Sequence, residues 1–366
     1  MKRILVLGCT GSIGTSTLNI VRNMGEDFCI CGLQAHSNEE KLNSYAKEFS
    51  NGKTIPALLT KDDSSENAFM ALIEKSKPDI VVNGIAGAAG LIPSKCVLES
   101  GINLALANKE TIVMAGNLIK ETAEKNNAKI LPVDSEHSAI FCLSEKIGKE
   151  NISKIIITAS GGPFRTLPKE ELNNVTVQMA LKHPTWNMGK KITIDSATLA
   201  NKGLEVIEAA RLFNASADKI QVVIHPQSLI HSLVQTNDGV MYAQISEPDM
   251  KHPILTALTW PDNKTSYLEP FNLFDKTMNF YQPRINDFPM LGYAFECVKL
   301  GGSYSIAFNA ANEIAVSAFL EEKISFNSIS KIVRTVLDKS WSFEPKDYNE
   351  VFEADQNARR YAMELL

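Results

Sequence analysis

A short apolar strand that runs into a glycine turn and then a helix constrains this chain more than any other feature. Residues 3 to 7 read as the strand, Gly8-Cys9-Thr10-Gly11-Ser12-Ile13-Gly14 as the turn, and Thr15 to Met24 as the helix. In that setting glycines let the backbone approach a pyrophosphate, and the helix N-terminus offers free N–H groups, as in a dinucleotide fingerprint. The spacing is G-x-x-G-x-x-G, and glycine turns of this kind also occur in ligand-free α/β units.

The next strand, Phe28 to Gln34, ends in Ala35-His36-Ser37-Asn38. No Asp or Glu stands there to accept from a ribose 2′-OH, whereas His36, Ser37 and Asn38 can donate to a 2′-phosphate, which favours NADPH. Ser37 or Asn38 also suits a helix N-cap, and both readings can hold. Strand and helix patterns then alternate: 54–59, helix 64–76, 79–83, helix 91–100, 102–107, helix 111–126 and 129–133. That alternation predicts a Rossmann-like doubly wound parallel sheet, with ligands off the carboxyl ends of its strands. Two polar clusters fall at such ends, Asn108-Lys109-Glu110 and Asp134-Ser135-Glu136-His137. In an extended chain Asp134 and Glu136 point the same way. With a third oxygen donor they suit Mg²⁺ or Mn²⁺, although Asp-x-Glu alone is common.

Beyond Asn151 the character changes. Strand 154–159 runs into Ser160-Gly161-Gly162-Pro163-Phe164-Arg165, which reads as an anion nest or as a plain tight turn. His183 to Lys190 reads as a loop, Lys191 to Asp195 as a short strand, and Asp195 or Ser196 as the cap of a helix reaching Phe213. On that helix Thr198, Asn201, Lys202, Glu205 and Glu208 share one face. A solvated polar face is the plain alternative. Gly203, which costs a helix roughly 1 kcal/mol against Ala, and the Trp/Met loop upstream both argue for a site.

Strands are expected at 219–224, 229–236 and 240–245, with His225 and His231 packed and structural and a turn at Glu247-Pro248-Asp249-Met250. Residues 263–288 read as a polar, proline-punctuated linker, and 290–300, 303–322, 325–339 and 345–366 as helices of a small bundle. The expected organisation is a cofactor domain over 1–149, an α+β catalytic domain over 150–262, a linker over 263–288 and the C-terminal helix bundle over 289–366.

At 366 residues the chain has ample core for such a plan. Its net charge of −5 leaves no basic footprint for nucleic acid, so any phosphate must be held locally. The six cysteines show neither Cys-x-x-Cys nor zinc spacing, which fits a reduced, cytoplasmic chain. The longest apolar run, 80–93, is broken by Asn83 and by glycine and proline, so no membrane span is expected.

Taken together, the motifs resemble the 1-deoxy-D-xylulose 5-phosphate reductoisomerase family. The residues that carry the likeness are Gly8 to Gly14, Ala107-Asn108-Lys109-Glu110, Pro132-Val133-Asp134-Ser135-Glu136-His137, Ala159 to Phe164, 183–205 as a whole, and His225-Pro226-Gln227-Ser228. The resemblance implies a homodimer that acts on a small phosphorylated substrate by metal-assisted retro-aldol/aldol rearrangement, followed by hydride reduction from NADPH. It implies Asp134, Glu136 and Glu205 as metal ligands, and Lys109 and Ser135 at the substrate's polar backbone. Ser160, His183, Ser196, Asn201 and Lys202 would gather around the phosphate. Trp186 and Met188 would form a flap, and Thr10, Gly11, Ser12, Ile13, Asn108, Glu110 and Gly189 would touch NADPH, beside His36, Ser37 and Asn38. One departure stands out. The family commonly has Ala-Gly-basic-Asn after the second strand; here the basic residue is missing, and a protonated His36 is the substitute. The alternative is another NAD(P)-dependent oxidoreductase of a semialdehyde or hydroxy acid, with no metal and no phosphate grip.

Overall fold

The computed structural model describes residues 1–49, 54–59, 65–186 and 188–366. The expected helix start at residue 64 and Asn187 of the expected flap loop lie outside the described residues. Along the chain run β1 (Lys2–Leu7), α1 (Ser12–Asn23), β2 (Phe28–Ala35), α2 (Glu39–Phe49), β3 (Ile55–Leu58), α3 (Glu66–Ser76), β4 (Ile80–Asn83), α4 (Leu91–Glu99) and β5 (Asn103–Leu106). Next come α5 (Lys109–Lys125), β6 (Ile130–Pro132), α6 (Ser135–Ile147), β7 (Ile152–Ala159), α7 (Val177–Ala180), α8 (Lys190–Ala197) and α9 (Ala200–Leu212). Then β8 (Ile220–Ile224), β9 (Ile230–Thr236), β10 (Met241–Ile245) and α10 (Lys251–Thr259) precede four helices, α11 (Met290–Leu300), α12 (Tyr304–Leu320), α13 (Phe326–Leu337) and α14 (Tyr348–Met363).

The chain divides into two compact units. The first comprises Met1–Thr111, Ile119–Ser138 and Asp249–Phe271. Its six strands pair in parallel in the order β3-β2-β1-β4-β5-β6, the strand order of a Rossmann-type doubly wound sheet. Ile4, Leu5, Val6, Val81, Val82, Leu104 and Ala105 are wholly buried, as strands covered on both faces require. Helix α10, absent from the sequence reading, packs against α1, β5 and β6. The expected turn at Glu247-Pro248-Asp249-Met250 leads directly into it. Pro253 occupies the first helical turn, where its missing N–H leaves no intrahelical bond unmade.

The second unit comprises Ile112–Leu118, Ala139–Pro248 and Asn272–Leu366. Its mixed sheet has the order β10-β9-β7-β8, with only β7 and β8 parallel. One apolar core joins this sheet to α9 and the C-terminal helices through Ile157, Leu204, Val206, Leu291, Phe308, Val333 and their neighbours. Gly203 has its explanation here. A Cβ on it would lie 2.9 Å from Ala294 Cβ and 3.2 Å from the Met290 carbonyl oxygen, so α9 and α11 meet with nothing between their backbones. His225 and His231 are buried and structural, as expected. His225 Nε2 accepts from Leu229 N–H at 3.1 Å while Nδ1 faces the Asn279 carbonyl at 2.9 Å, and His231 pairs with Ser246 Oγ at 2.8 Å.

Two local expectations are corrected. Residues 191–195 form no strand: they lie in α8, where Thr193 N–H and Oγ1 both donate to the Gly189 carbonyl and Lys191 pairs with Asp195 at i,i+4. The alternation of Ile192 and Ile194 misled because burial follows the helical spacing Ile194/Ala197. Nor is there one helix from Asp195 to Phe213. Leu199 takes a left-handed conformation (φ 61°) that ends one helix and starts the next, so Asp195 and Ser196 close α8 and cap nothing.

Candidate active site

In the first unit the glycine turn does two jobs. Gly8 has φ +73°, which a side chain disfavours, and a Cβ on Gly14 would lie 2.4 Å from Cys9 Cα, so α1 starts hard against the strand end. Gln34 at the tip of β2 fixes the turn, its carbonyl accepting from Cys9 N–H and its Oε1 from Gly8 N–H at 3.0 Å. Gly11 is the N-cap of α1 and makes no side-chain cap, so the first N–H groups, at Ser12 and Ile13, begin the helix without a local acceptor side chain. Thr10 presents its carbonyl to Lys41 Nζ at 3.0 Å. Lys41 was not singled out in the sequence: it lies six residues past β2, and only the path of α2 brings its ammonium back to the turn. Asn38 Oδ1 accepts from Lys41 N–H at 3.0 Å, capping α2 as expected. His36 and Ser37 are exposed, and His36 Nδ1 faces the Leu59 carbonyl at 3.3 Å, so that nitrogen carries the proton.

Asn108 is the N-cap of α5 and is fully used within its unit. Its Oδ1 accepts from Thr111 N–H at 2.9 Å, and its Nδ2 donates to the carbonyls of Ile85 and Gly87 and to Glu110 Oε2. A Cβ on Gly90 would strike that amide at 2.4 Å, so the 85–90 loop is moulded around it. Lys109, one residue on and buried, is ion-paired with Asp134 Oδ2. Asp134 follows β6, and its carbonyl accepts from Ser138 N–H at 2.8 Å, which starts α6. Glu136 therefore lies in the first turn of a helix and not in extended chain, which corrects the expected conformation, although the two carboxylates do come together, with an oxygen of Asp134 and one of Glu136 within 4.8 Å. Ser135 Oγ donates to Glu136 Oε2 at 2.5 Å, which aims that carboxylate.

In the second unit the polar face of α9 is inside the protein. Lys202, Glu205 and Glu208 are 4%, 1% and 1% exposed, which rules out a solvated face. Asn201 Nδ2 donates to Glu205 Oε1 at 2.6 Å, and Lys202 Nζ pairs with Glu205 Oε2. A buried carboxylate needs such partners, because leaving its charge uncompensated costs several kcal/mol. Thr198 lies just outside α9, with its Oγ1 accepting from Ala200 N–H at 3.3 Å.

The Ser160-Gly161-Gly162 turn reaches the end of α8. Gly161 and Gly162 have φ of +86° and +67°, and a Cβ on Gly162 would lie 2.6 Å from the Ser196 carbonyl oxygen. Ser160 Oγ lies 3.0 Å from His183 Nε2. His183 Nδ1 accepts from the N–H groups of Thr185 and Trp186 at 3.1 and 2.9 Å, so the proton sits on Nε2, which donates to Ser160. Burial, reinforced by the nearby Arg165 guanidinium, pushes His183 down to about 4, which keeps the ring neutral. His183 thus holds the start of the segment that carries Trp186 and Met188, both half-buried. Gly189 is the N-cap of α8.

The profile of the 1-deoxy-D-xylulose 5-phosphate reductoisomerase family matches residues 4–64 and 57–116, and profiles of the family's C-terminal domains match 130–213 and 245–361. The 1-deoxy-D-xylulose 5-phosphate reductoisomerase of Treponema denticola is 50% identical over 367 residues, covering 99% of this chain and 96% of its own. That of Treponema pallidum is 44% identical over 363 residues, covering 99% and 96%. A crystal structure of DOX-P reductoisomerase in complex with NADPH, fosmidomycin and magnesium superposes with a TM-score of 0.90 at 36% identity, covering 100% of this chain and 98% of the other. The Zymomonas mobilis enzyme in complex with NADPH gives 0.88 at 38%, with the same coverage. The chain is a member of the 1-deoxy-D-xylulose 5-phosphate reductoisomerase family.

Proposed function

We propose that this chain converts 1-deoxy-D-xylulose 5-phosphate to 2-C-methyl-D-erythritol 4-phosphate, using NADPH and a divalent metal ion, in the non-mevalonate supply of isoprenoid precursors. The observation that carries the reading is the buried face of α9. Glu205, locked between Asn201 and Lys202, is an acid that a folded protein keeps inside only for a purpose or at a loss. Family membership supplies the purpose, and the related complex with NADPH, fosmidomycin and magnesium supports the cofactor and the ion.

Asp134, Glu136 and Glu205 are the proposed metal ligands, all hard carboxylate oxygens suited to Mg²⁺ or Mn²⁺. Lys109 and Lys202, paired with Asp134 and Glu205, offset part of the charge such a set carries. When bound, the ion would supply Lewis-acid charge neutralisation at the substrate's vicinal oxygens, and NADPH the hydride. Lys109 adds a fixed cationic donor for negative charge that develops during the retro-aldol and aldol steps. Ser135 orients Glu136 and contacts the substrate backbone. Ser160, His183, Ser196, Asn201 and Lys202 hold the phosphate. His183 does so as a neutral donor, since both N–H bonds to its Nδ1 would be lost on protonation. Trp186 and Met188 close over the substrate, which keeps water out and the two fragments together.

NADPH is assigned to the glycine turn at Thr10 to Ile13, to His36, Ser37 and Asn38, and to Asn108, Glu110 and Gly189. Lys41 provides the cation that the second strand's end lacks. In domain terms the cofactor role is assigned to the first unit, which takes in 249–271 of the expected catalytic domain and linker, and catalysis to the second, which takes in 139–149 of the expected cofactor domain and the bundle over 289–366. A cytoplasmic homodimer completes the proposal. In its favour, β10 is an edge strand with Met241, Tyr242 and Ile245 exposed and the preceding Val240 exposed beside it, an apolar strand edge that a second copy would cover. Among the described residues no helix is long and apolar enough to cross a membrane.

The test is loss of NADPH absorbance with the pentulose phosphate, with and without divalent ion, against NADH. Turnover that needs both ion and NADPH is expected. Turnover that survives EDTA, with a semialdehyde or hydroxy acid in place of the sugar phosphate, would instead mark an ordinary NAD(P)-dependent oxidoreductase.

A further inference from the structure

We infer that Asp195 and Asn312 form a latch that sets the position of α8, and with it Ser196, so that the C-terminal helices govern substrate affinity without touching substrate. Both are positioning residues, and the inference rests on the proposed reading of Ser196 as a phosphate contact.

Asp195 is 1% exposed and Asn312 has no exposed surface. Asn312 Nδ2 donates to Asp195 Oδ1 at 2.7 Å, joining α8 to α12 across 117 residues of chain. Lys191 Nζ holds the other oxygen, Oδ2, at 2.8 Å. A carboxylate only accepts, so the amide is obliged to present its NH₂ to Asp195. That orientation leaves Asn312 Oδ1 buried with no hydrogen-bond partner, a standing cost that an apolar side chain of similar size would avoid. What leucine could not do is hold a charged oxygen in one place. The bundle side of the latch is itself tied down. Asn309 Nδ2, one turn earlier on α12, donates to Glu313 Oε1 at 3.3 Å. Arg359 of α14 donates to Glu313 Oε2 at 2.6 Å and to Asp355 Oδ2 at 2.7 Å. On the site side, the residue after Asp195 is Ser196, whose carbonyl lies so close to Gly162 that no Cβ would fit. Helix α8 is eight residues long. A shift at Asp195 therefore moves Ser196 directly, because so short a helix has no length over which to absorb it.

Steady-state kinetics of the full chain with divalent ion tests the latch. Asn312→Asp sets two carboxylates against each other and should raise the KM for the sugar phosphate about ten-fold, while the KM for NADPH stays unchanged and kcat falls by no more than about two-fold. The double variant Asp195→Asn/Asn312→Asp restores an amide–carboxylate bond with donor and acceptor exchanged, and should recover most of the lost affinity. If Asn312→Asp does not fold, Asn312→Ala removes the same bond without new charge and should shift the same KM in the same direction. An unchanged sugar-phosphate KM in a folded Asn312 variant overturns the latch. So does an equal rise in both KM values that the double variant leaves in place. Ser196→Ala separates this inference from the reading beneath it. If that variant leaves the sugar-phosphate KM alone, α8 is not at the phosphate and the inference falls with that reading. If it raises the KM while the Asn312 variants do not, only the latch is wrong.

Discussion

Lys202 and Glu205 stand three residues apart on α9 and form an ion pair that is almost wholly buried, the two side chains 5% and 1% exposed. At a surface such an i,i+3 pair would be worth a few tenths of a kcal/mol and would need no explanation. Inside the protein each partner holds the other's charge, and each is offered to a ligand in the reading above: the carboxylate to the metal ion, the ammonium to the phosphate.

Removing the cation should therefore have two effects. Lys202→Ala is expected to raise the KM for the sugar phosphate by at least about ten-fold, the loss of a charge-assisted contact. It should also lower the melting temperature in the absence of ion, because Glu205 is left buried without its cation. Initial-rate kinetics and thermal denaturation check the two separately. An unchanged KM would remove Lys202 from the phosphate site.

Gly203 makes a packing prediction with no bearing on chemistry. Gly203→Ala improves helix propensity, yet its Cβ would sit 2.9 Å from Ala294 Cβ. Overpacking of that kind costs about 1–3 kcal/mol, more than the roughly 1 kcal/mol gained in propensity. Chemical denaturation should show a net loss of stability, and a gain would mean that α9 and α11 can separate freely.

His183 gives stability a pH dependence. Its folded-state value is pushed down to about 4 from an ordinary 6.5, so between those values the unfolded chain binds the extra proton. Stability from this group is fully present above about 6.5 and is lost as pH falls toward 4. Melting temperatures across that window should fall less steeply for His183→Gln than for the parent. Equal slopes would show that His183 is not the group responsible.

Lys41 bears on cofactor choice. With no basic residue at the end of β2, its ammonium, held at the Thr10 carbonyl, is the cation proposed to favour a 2′-phosphate. Lys41→Met should weaken NADPH binding about five- to ten-fold and leave NADH nearly unchanged, as loss of one partly exposed ionic contact would. Calorimetric titration of each cofactor measures this without turnover. Equal weakening of both would assign Lys41 to holding the turn alone.

Much of this was legible in the sequence because the first unit obeys local rules. Strands with apolar cores and the glycine turn sit where pattern and turn chemistry put them, and the C-terminal helices follow their apolar stripes. The errors share one cause: tertiary packing outweighed a short local pattern. Ile192 and Ile194 looked like a strand until Leu199, in a left-handed conformation that only the folded chain enforces, split the segment into two helices. Asp134 and Glu136 looked extended, although the Asp134 carbonyl starts a helix. Burial of the α9 face was indicated by Gly203, but the reason lies in Met290 and Ala294, nearly ninety residues on. Lys41 and Asn312 were invisible for the same reason. Each matters through a partner that no spacing rule connects to it.

Three carboxylates, Asp134, Glu136 and Glu205, are proposed to bind one divalent ion, and the chemistry depends on it. The most direct test is Mn²⁺ binding followed by electron paramagnetic resonance in the parent and in Asp134→Asn, Glu136→Gln and Glu205→Gln, with NADPH affinity measured on the same samples. One site per chain is expected in the parent, with affinity weakened at least about ten-fold in every variant and NADPH affinity unchanged. Mn²⁺ affinity in Glu205→Gln equal to that of the parent would contradict the proposal.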